Sequence, residues 1–494
     1  MTALAWAVTL PPLLGLVAVH PRCTASAAGT ALSIGAAASF ASAVALGVYD
    51  IGHAPAQALE GFVYIDPLAC FFALTVALVV LLASLGSAAY LRVEEENGAL
   101  SSFQVRLYFV FFSVFSAGML ASMFAGNLGL LWVLIEASTL ASAVLVGLDA
   151  KARALEAAWK YVIISSFGVT IALVATVFLF YAGSALHLGS NQRLTWYYLF
   201  AHAHALQPGA LRIAFLLAVI GYGTKVGLVP MHTWLPDAHS EAPSPASAML
   251  SAGLLNTGMY AIIRYDAIAH AALGASYPQD ILLGFGFATM FVGVMFMLRR
   301  GNFKLQYAYS SIEHMGIVSI ALGFGGVLGL FGALLQVLNH AIAKAVLFLT
   351  SGQFVLGYKT REISEVRGAL GALPFAGGVL VLASLAVAGT PPFGVFLSEL
   401  TIVRAGFEKS PVLAGVFLVF LAVGFIGLIG SALAMATGTA PSALPAPSEP
   451  YPSRTGRLLA GVPIVGGLGL LVVLGLFVPS GLGELLMHAA KVVA

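Results

Sequence analysis

Long apolar runs separated by short polar connections dominate this chain, and this pattern is typical of a protein that crosses a lipid bilayer many times. About 20 apolar residues in a helix cross a hydrocarbon core of about 30 Å. Runs of that length, bounded by charges, Gly/Pro or polar clusters, predict fourteen transmembrane helices. Their approximate centres are residues 11, 37, 78, 116, 137, 172, 220, 255, 290, 312, 340, 388, 423 and 469. We therefore predict an all-α polytopic membrane protein.

Composition supports this class, because 60% of the residues are hydrophobic and only 9% are charged. A soluble domain carries roughly 25% charged residues. The net charge of +2 does not indicate nucleic acid as a partner. Cys23 and Cys70 lack metal-site spacing and are expected to be packing residues. The N-terminal segment lacks a basic region and a cleavage site, so we interpret it as a retained first helix.

The basic residues in the predicted connections are distributed unevenly between the two sides of the membrane. If the N-terminus lies outside, the inner connections hold Arg22, Arg92, Arg106, Lys151, Arg153, Lys160, Arg299, Arg300, Lys304, Lys359, Arg361, Arg367, Arg454 and Arg457. The outer connections hold Arg193, Arg212, Arg264, Arg404, Lys409 and Lys491. Since inner loops of membrane proteins are enriched in Lys and Arg, both termini are expected on the outer side.

Polar stretches between the helices are short. The longest are a loop near residues 184–211 and a Pro/Ser-rich linker, TAPSALPAPSEPYPSR, at 439–454. Both are expected to be surface connections. No soluble domain is predicted, so no cofactor is expected on this chain and any redox chemistry must lie on another polypeptide.

Several ionisable residues fall inside predicted helices, where each costs roughly 2.5–3.5 kcal/mol. They are Glu136 in the fifth helix, Lys225 in the seventh, Glu313 and His314 in the tenth, His340 and Lys344 in the eleventh, and Glu399 in the twelfth. Any one alone could be half of a structural ion pair or a solvated group near an interface. A lone histidine is more often a core residue. Acids, amines and imidazoles at comparable depth on different helices together favour function.

Proton transfer requires this mixture of groups. Burial disfavours the charged form of a lysine and a nearby carboxylate favours it, so Glu136 beside Lys225 would control when that lysine holds a proton. Lys344 follows His340 by four residues, which places both on one helical face. Histidines suit a relay because they titrate near neutral pH, and His232, His314 and His340 are the candidates.

Prolines interrupt two predicted helices five positions apart. Pro230 follows Lys225 in the seventh helix, and Pro391 and Pro392 precede Glu399 in the twelfth. Matching breaks at odd spacing indicate an inverted repeat with a site near each break. The predicted organisation is therefore helices 1–3 at 1–106, a first inverted repeat at 107–265, a second at 280–436, and a linker with helix 14 at 437–494.

Three segments carry a family resemblance: KVGLVPMHTWLPDAHSEAPSPASAMLSAGLLNTGMYAIIR, LNHAIAKAVLFLTSG and TPPFGVFLSEL. They resemble the antiporter-like proton-translocating subunits of complex I, the Mrp antiporters and the membrane-bound hydrogenases. The tenth-helix motif AYSSIEHMGI is most similar to the hydrogenase-4 and formate hydrogenlyase branch, in particular to the F subunit of hydrogenase-4. The similarity spans roughly helices four to thirteen.

This resemblance implies fourteen helices in two inverted five-helix repeats and a role for several residues. Glu136 and Lys225 would form the couple of the first repeat, Lys344 would be the central relay, and Glu399 would be the exit-side residue. One position departs from many complex I members, which have Lys or His where this chain has Asn256. A neutral amide cannot hold a proton, so His232 or water would have to serve there instead.

The preferred hypothesis is a proton-translocating subunit of a multi-subunit redox complex in the plasma membrane of a prokaryote. Its expected partners are the lipid bilayer, other membrane subunits and a peripheral module that is nickel–iron hydrogenase-like or quinone-reducing. The alternatives are an Mrp-type cation/proton antiporter subunit, an energy-coupling subunit for inorganic-carbon uptake, and a scaffold whose channel is inactive. Sequence leaves the electron donor, the direction of proton flow and the choice of proton or sodium open.

Overall fold

Twelve helices of the computed structural model are long and apolar enough to cross a membrane, within the described residues 1–186, 189–299, 301–439, 447, 449–451 and 453–493. Arg300 and most of the Pro/Ser-rich linker lie outside the described residues. The twelve spans are Thr2–Val19, Ala25–Asp50, Pro67–Glu96, Ser102–Met123, Leu128–Val146, Ala152–Ala182, Pro208–Val226, Ser244–Leu273, Ser276–Met297, Gly326–Tyr358, Pro411–Ala436 and Arg454–Leu476. The chain is thus an all-helical polytopic membrane protein apart from one short hairpin.

The helices are numbered in chain order. They are α1 (Thr2–Thr9), α2 (Ala25–Asp50), α3 (Pro67–Glu96), α4 (Ser102–Met123), α5 (Leu128–Val146), α6 (Ala152–Ala182), α7 (Trp196–Ala201), α8 (Pro208–Val226), α9 (Trp234–Glu241), α10 (Ser244–Met249), α11 (Leu255–Leu273), α12 (Ser276–Met297), α13 (Phe303–Phe324), α14 (Gly326–Tyr358), α15 (Ala369–Ala372), α16 (Pro374–Val387), α17 (Gly394–Lys409), α18 (Pro411–Ala436), α19 (Arg454–Leu476) and α20 (Ser480–Lys491). Short 3₁₀ segments are Pro11–Val19, Leu59–Gly61, Gln192–Leu194 and Ala203–Ala205. Strands β1 (Ala56–Ala58) and β2 (Val63–Ile65) form an antiparallel hairpin.

The two other spans predicted from sequence correspond to helices that are less apolar or shorter than the twelve. The prediction centred at residue 312 falls in α13, which has 22 residues but carries Lys304, Glu313 and His314 and is therefore less apolar. The prediction centred at residue 388 falls between α16 and α17, two short helices separated by residues 388–393. Length and apolar composition alone therefore identify twelve spans.

Local sequence explains where the helices begin. Asp66, Ser101, Asn127, Asn302 and Ser410 each precede a helix and accept a hydrogen bond from a backbone N–H of its first turn. Such caps satisfy N–H groups that have no partner within the helix. Polar residues at the ends of apolar runs thus fix the helix starts.

The two predicted spans that carry Pro230 and Pro391–Pro392 are interrupted, as the sequence predicts. Helix α8 ends at Val226, Gly227 follows with a φ of 83°, and α9 resumes at Trp234. Trp234 Nε1 donates to the carbonyl oxygen of Thr224 at 2.7 Å, which ties the two halves together across the break. In the second case α16 ends at Val387 and Gly389 adopts a φ of 68°.

One span contains a π-turn. Helix α10 continues through Leu250–Leu254, whose hydrogen bonds skip five residues, into α11. Single π-turns inside α-helices are frequent at functional sites.

Two sets of helices pack in the same order. In the first unit, residues 102–273, α4 packs on α5, α5 on α6, α6 on α8, and α8 on α11. In the second unit, residues 276–436, α12 packs on α13, α13 on α14, α14 on α16, and α16 on α18. Helix α14 also contacts α3 and α10, so it lies between the units.

Loops gather on two faces. One face, which we call the basic side, holds the ends of α3, α9 and α14 and the starts of α10 and α13. An isolated β-bridge between Asn302 and Glu362 joins two of its segments. The hairpin side holds the β-hairpin and the loop before α8, joined by a bridge between Val63 and Ala125 and another between Asn127 and Thr195.

Arg264 corrects the sequence-based map, which placed it in an outer connection. It lies within α11, fully buried, and donates to both carboxylate oxygens of Asp66 at 2.8 and 2.6 Å. Its guanidinium stacks over the Trp196 ring at 3.9 Å. This ion pair fastens the first unit to α3 on the hairpin side.

The two cysteines differ in their environments. Cys70 is buried in α3, as predicted, whereas Cys23 is only half-buried, in the connection before α2. Helix α20, which the sequence analysis did not identify, packs its apolar face on α3 and α14.

Candidate functional site

Lys225 is the penultimate residue of α8, two residues before Gly227, and is fully buried. Its Nζ lies 4.9 Å from the centroid of the Tyr161 ring of α6. It has no hydrogen-bond partner among the described residues. The amine therefore faces an aromatic ring rather than a hydrogen-bond acceptor.

Glu136 stands at the middle of α5 and is half-buried. Ser166 of α6 donates to its Oε1 at 2.6 Å, and its Oε2 has no protein partner in the described part of the chain. One turn earlier, Trp132 Nε1 donates to the Val169 carbonyl oxygen at 2.6 Å and fixes α5 against α6. The carboxylate acts on Lys225 electrostatically without a hydrogen bond between them. The structure thus places Glu136 and Lys225 within electrostatic range of each other but not in direct contact.

Asn256 is buried at the start of α11, next to the π-turn. Its Nδ2 donates to the Ala252 carbonyl oxygen at 2.7 Å, and its Oδ1 has no partner in the described ranges. His232 lies in the α8–α9 break, half-buried, and its hydrogen bonds do not reach the other candidates.

Lys344 is buried in the middle of α14 and is held by α13. Its Nζ donates to the Tyr307 carbonyl oxygen at 3.2 Å and to the Ser310 hydroxyl. Glu313, one turn beyond Tyr309 on α13, acts on it electrostatically. Unlike Lys225, this amine is solvated by protein oxygens.

Glu313 and Glu399 line the same small cavity between α13, α17 and α18. Each carboxylate packs against a glycine: Glu313 against Gly424 of α18, and Glu399 against Gly389 in the break. A Cβ at either glycine would collide with the carboxylate oxygens. The glycines therefore make room for two acids that also act on each other electrostatically.

His314 occupies a fixed position in a hydrogen-bond chain. Its Nε2 lies 3.1 Å from the Val387 carbonyl oxygen and therefore carries the proton, and its Nδ1 accepts from Gln336 Nε2 at 3.2 Å. Gln336 Oε1 in turn accepts from the Ser398 hydroxyl. With both ring nitrogens bonded, this histidine links α13 and α14 to the broken helix and offers no open position to a proton.

His340 has a ring nitrogen that is open. Its Nε2 lies 3.3 Å from the Ser251 carbonyl oxygen in the π-turn, so Nε2 carries the proton and Nδ1 is left as a buried acceptor without a protein partner in the described chain. Its ring centroid is 5.1 Å from that of His314. It faces Lys344 one turn away on α14, as predicted.

Two more buried groups, which the sequence analysis did not single out, lie beside this set. His239 lies within the recognised HTWLPDAH motif, and its Nε2 has no protein partner in the described ranges. Lys304, expected in an inner connection, is buried at the start of α13 and donates to the Ala242 carbonyl oxygen at 2.5 Å. The signal for His239 was its position within the recognised motif; the signal for Lys304 was its closeness to an apolar run.

Metal binding finds no support in this arrangement, since the described residues contain no group of three or more His, Cys, Asp or Glu that could hold an ion. What the buried groups can do is exchange protons. Lys225 and Lys344 each have an acid within electrostatic reach, and three histidines of the described chain, His232, His239 and His340, each have one ring nitrogen without a hydrogen-bond partner.

Comparisons with known proteins show the family and the fold. The chain is 38% identical over 371 residues to a hydrogenase-4 component F homolog from Methylacidiphilum infernorum (isolate V4), covering 75% of this chain and 77% of that protein. Its fold matches a chain of the membrane-bound sulfane sulfur reductase, an archaeal respiratory membrane complex, with a TM-score of 0.81, 22% identity and coverage of 100% and 99%. It also matches a chain of respiratory complex I from Thermus thermophilus with bound NADH, with a TM-score of 0.80, 23% identity and coverage of 99% and 100%.

Residues 125–425, from the start of α5 to the middle of α18, match the family model described as NADH:quinone oxidoreductase/Mrp antiporter, TM. The match includes both broken helices and all nine candidate residues. This protein therefore belongs to the NADH:quinone oxidoreductase/Mrp antiporter family of multi-pass membrane proteins.

Proposed function

We propose that this chain moves protons across a prokaryotic plasma membrane as a subunit of a multi-subunit redox complex of the hydrogenase-4-like type. Electron transfer in partner subunits, hydrogenase-like or quinone-reducing, would supply the energy. The similarity to a hydrogenase-4 component F homolog supports this choice of complex. In this proposal α13 and the α16/α17 pair complete fourteen crossings, arranged as two inverted five-helix repeats with both termini outside.

The observation that carries the proposal is the state of Lys225. A buried ammonium group without a hydrogen-bond acceptor is unfavourable. The charged form of Lys225 therefore depends on the nearby Glu136 carboxylate. When that carboxylate is neutralised, Lys225 releases its proton; when the charge returns, Lys225 takes one up. Lys225 is thus a proton carrier that Glu136 switches.

The second unit would receive and release protons through Lys344 and the acid pair. The Nδ1 of His340 and the Nζ of Lys344 lie on one face of α14, and Glu313 acts on Lys344 electrostatically. Glu313 and Glu399 share a cavity, so two adjacent carboxylates favour holding one proton between them. Glu399 also borders an apolar surface groove between α17 and α18.

The test compares two lysines of the first unit in the complex that co-purifies with the tagged chain, reconstituted in liposomes. Lys225→Met and Glu136→Gln should each abolish proton translocation, because the switched pair is lost, while subunit composition stays unchanged. Lys160→Met is the matched control, since Lys160 is exposed and pairs with Glu156 at 2.7 Å. Proton uptake per electron pair is the measurement. Wild-type uptake in both Lys225→Met and Glu136→Gln would refute the mechanism.

Cation/proton antiport is the second candidate function, favoured by the two carboxylates that face one cavity. Sodium pulses applied to the same liposomes without redox substrate distinguish the two functions. A sodium-dependent pH change that disappears in Glu313→Gln would favour the antiporter, and no response to sodium would favour the redox-driven subunit.

A further inference from the structure

A polar cavity of about 390 Å³ opens on the basic side, between the end of α3 and the connection of α14 to α15. We call it the vestibule. Its charged lining residues are Glu94, Asp149, Lys151, Glu241, Lys304, Lys359 and Arg361. Lys151 and Lys359 at its mouth are exposed, whereas Lys304 at its inner end is almost completely buried. The vestibule therefore leads from solvent to a buried amine.

The inner wall of the vestibule is held rigidly. Arg361 donates to Glu241 at 2.7 Å, and Asn302 Nδ2 donates to the Ser240 hydroxyl at 3.0 Å. Lys304 Nζ donates to the Ala242 carbonyl oxygen, which lies at the junction of α9 and α10. These contacts fix Lys304 against the segment that carries His239, three residues before Ala242.

His239 is oriented to accept a proton. Its Nδ1 lies 2.8 Å from the Leu235 carbonyl oxygen and must carry hydrogen, so the Nε2 lone pair is free. That atom is buried and has no protein partner in the described chain. The ring lies 5.6 Å from Phe348, one turn beyond Lys344 on α14. The His239 ring is close enough to Lys304, Lys344 and His340 for its charge to interact with theirs.

We propose that the vestibule, Lys304 and His239 form a separate proton supply to Lys344 in the second unit. This inference rests on the proposed function. The neutral amine of Lys304 takes a proton from water in the vestibule and gives it to the Nε2 lone pair of His239. The imidazolium then passes a proton to the neutral amine of Lys344, and Lys304 and His239 return to their starting forms. The second unit therefore does not depend on Asn256 or His232 for its protons.

The first test measures access of water rather than pumping. In a Cys23→Ser background, a small cationic methanethiosulfonate reagent is applied to the basic side of sealed vesicles containing the complex. Lys304→Cys at the inner end of the vestibule should react, and Ala99→Cys at the vestibule mouth should react faster. Ser113→Cys, buried in α4, should stay unmodified. Reaction at residue 99 without reaction at residue 304 would overturn the proposal.

The second test measures transport in the reconstituted complex. His239→Gln and Lys304→Gln should each slow proton translocation by roughly tenfold or more while leaving electron transfer from an artificial donor intact. His202→Gln, an exposed histidine on the hairpin side, is the control and should have no effect. Wild-type translocation in both variants would overturn the supply route and leave the proposed function standing. Labelling at residue 304 in a complex that moves no protons would instead count against the proposed function.

Discussion

The two units pack their helices in the same order but surround their lysines differently. In the first unit, Lys225 faces the Tyr161 ring and has no acceptor among the described residues, and its acid, Glu136, is half-buried. In the second unit, Lys344 donates to Tyr307 and Ser310. One architecture can thus hold an amine in a poorly solvated state or in a well solvated one, and we expect the first to lose its proton more readily.

A second contrast lies in how the units are fastened. The first unit is tied to α3 by the buried Arg264–Asp66 pair, whereas within the second unit Lys409 of α17 donates to Gln279 of α12 at 2.7 Å in a partly exposed contact. A buried charge pair tolerates the loss of one partner poorly, and a partly exposed contact tolerates it well.

The largest expected effect follows from this second contrast. Arg264→Met should lower the free energy of unfolding by about 3–5 kcal/mol, because Asp66 would remain as an uncompensated buried charge. Lys409→Met should lower it by less than about 1 kcal/mol. Thermal unfolding in detergent measures both. Equal losses in the two variants would show that the units are fastened alike.

A smaller effect is expected at the break of the second unit. Gly389→Ala should lower the free energy of unfolding by about 2 kcal/mol, since a left-handed conformation costs about 1–2 kcal/mol outside glycine and the new methyl would displace the Glu399 carboxylate. Gly378→Ala in α16, where a Cβ meets nothing, is the control. The same thermal unfolding assay applies, and an unchanged stability in Gly389→Ala would mean that the Glu399 carboxylate is not held against this glycine.

The smallest effect addresses the lysines themselves and differs in sign between the units. Lys344→Met should destabilise the protein by about 1 kcal/mol, because the Ser310 hydroxyl and the Tyr307 carbonyl oxygen each lose one hydrogen bond. Lys225→Met should leave stability unchanged or raise it, because no acceptor is left unpaired and a buried charge is removed. Chemical or thermal unfolding of both variants checks the signs. A loss of stability in Lys225→Met as large as in Lys344→Met would remove the contrast between the units.

Sequence predicted much of the architecture because apolar length and proline are local signals. The central positions of Glu136 in α5 and of Glu313 in α13, the breaks after Lys225 and before Glu399, and the shared face of His340 and Lys344 all follow from spacing along one helix. Periodicity needs no knowledge of neighbouring helices.

Contacts between distant segments could not be predicted in the same way. Arg264 stands near a helix end, where hydropathy cannot distinguish a loop charge from a buried one, and its partner Asp66 is far away in sequence. His314 was expected to relay protons, but Gln336 and the Val387 carbonyl oxygen occupy both of its nitrogens. The candidate role of Lys304, and of His239 behind it, could be inferred only from the vestibule, which five separate segments enclose.

The π-turn at Leu250–Leu254 gives its span one surplus residue. Everything beyond it is rotated by about 100° relative to an uninterrupted helix, which is one residue's share of a 3.6-residue turn. The directions in which Asn256 and Arg264 point therefore depend on this one π-turn. If the π-turn moved by one residue along the span, the Ser251 carbonyl oxygen would point away from His340 Nε2, while the two ends of the span kept their positions.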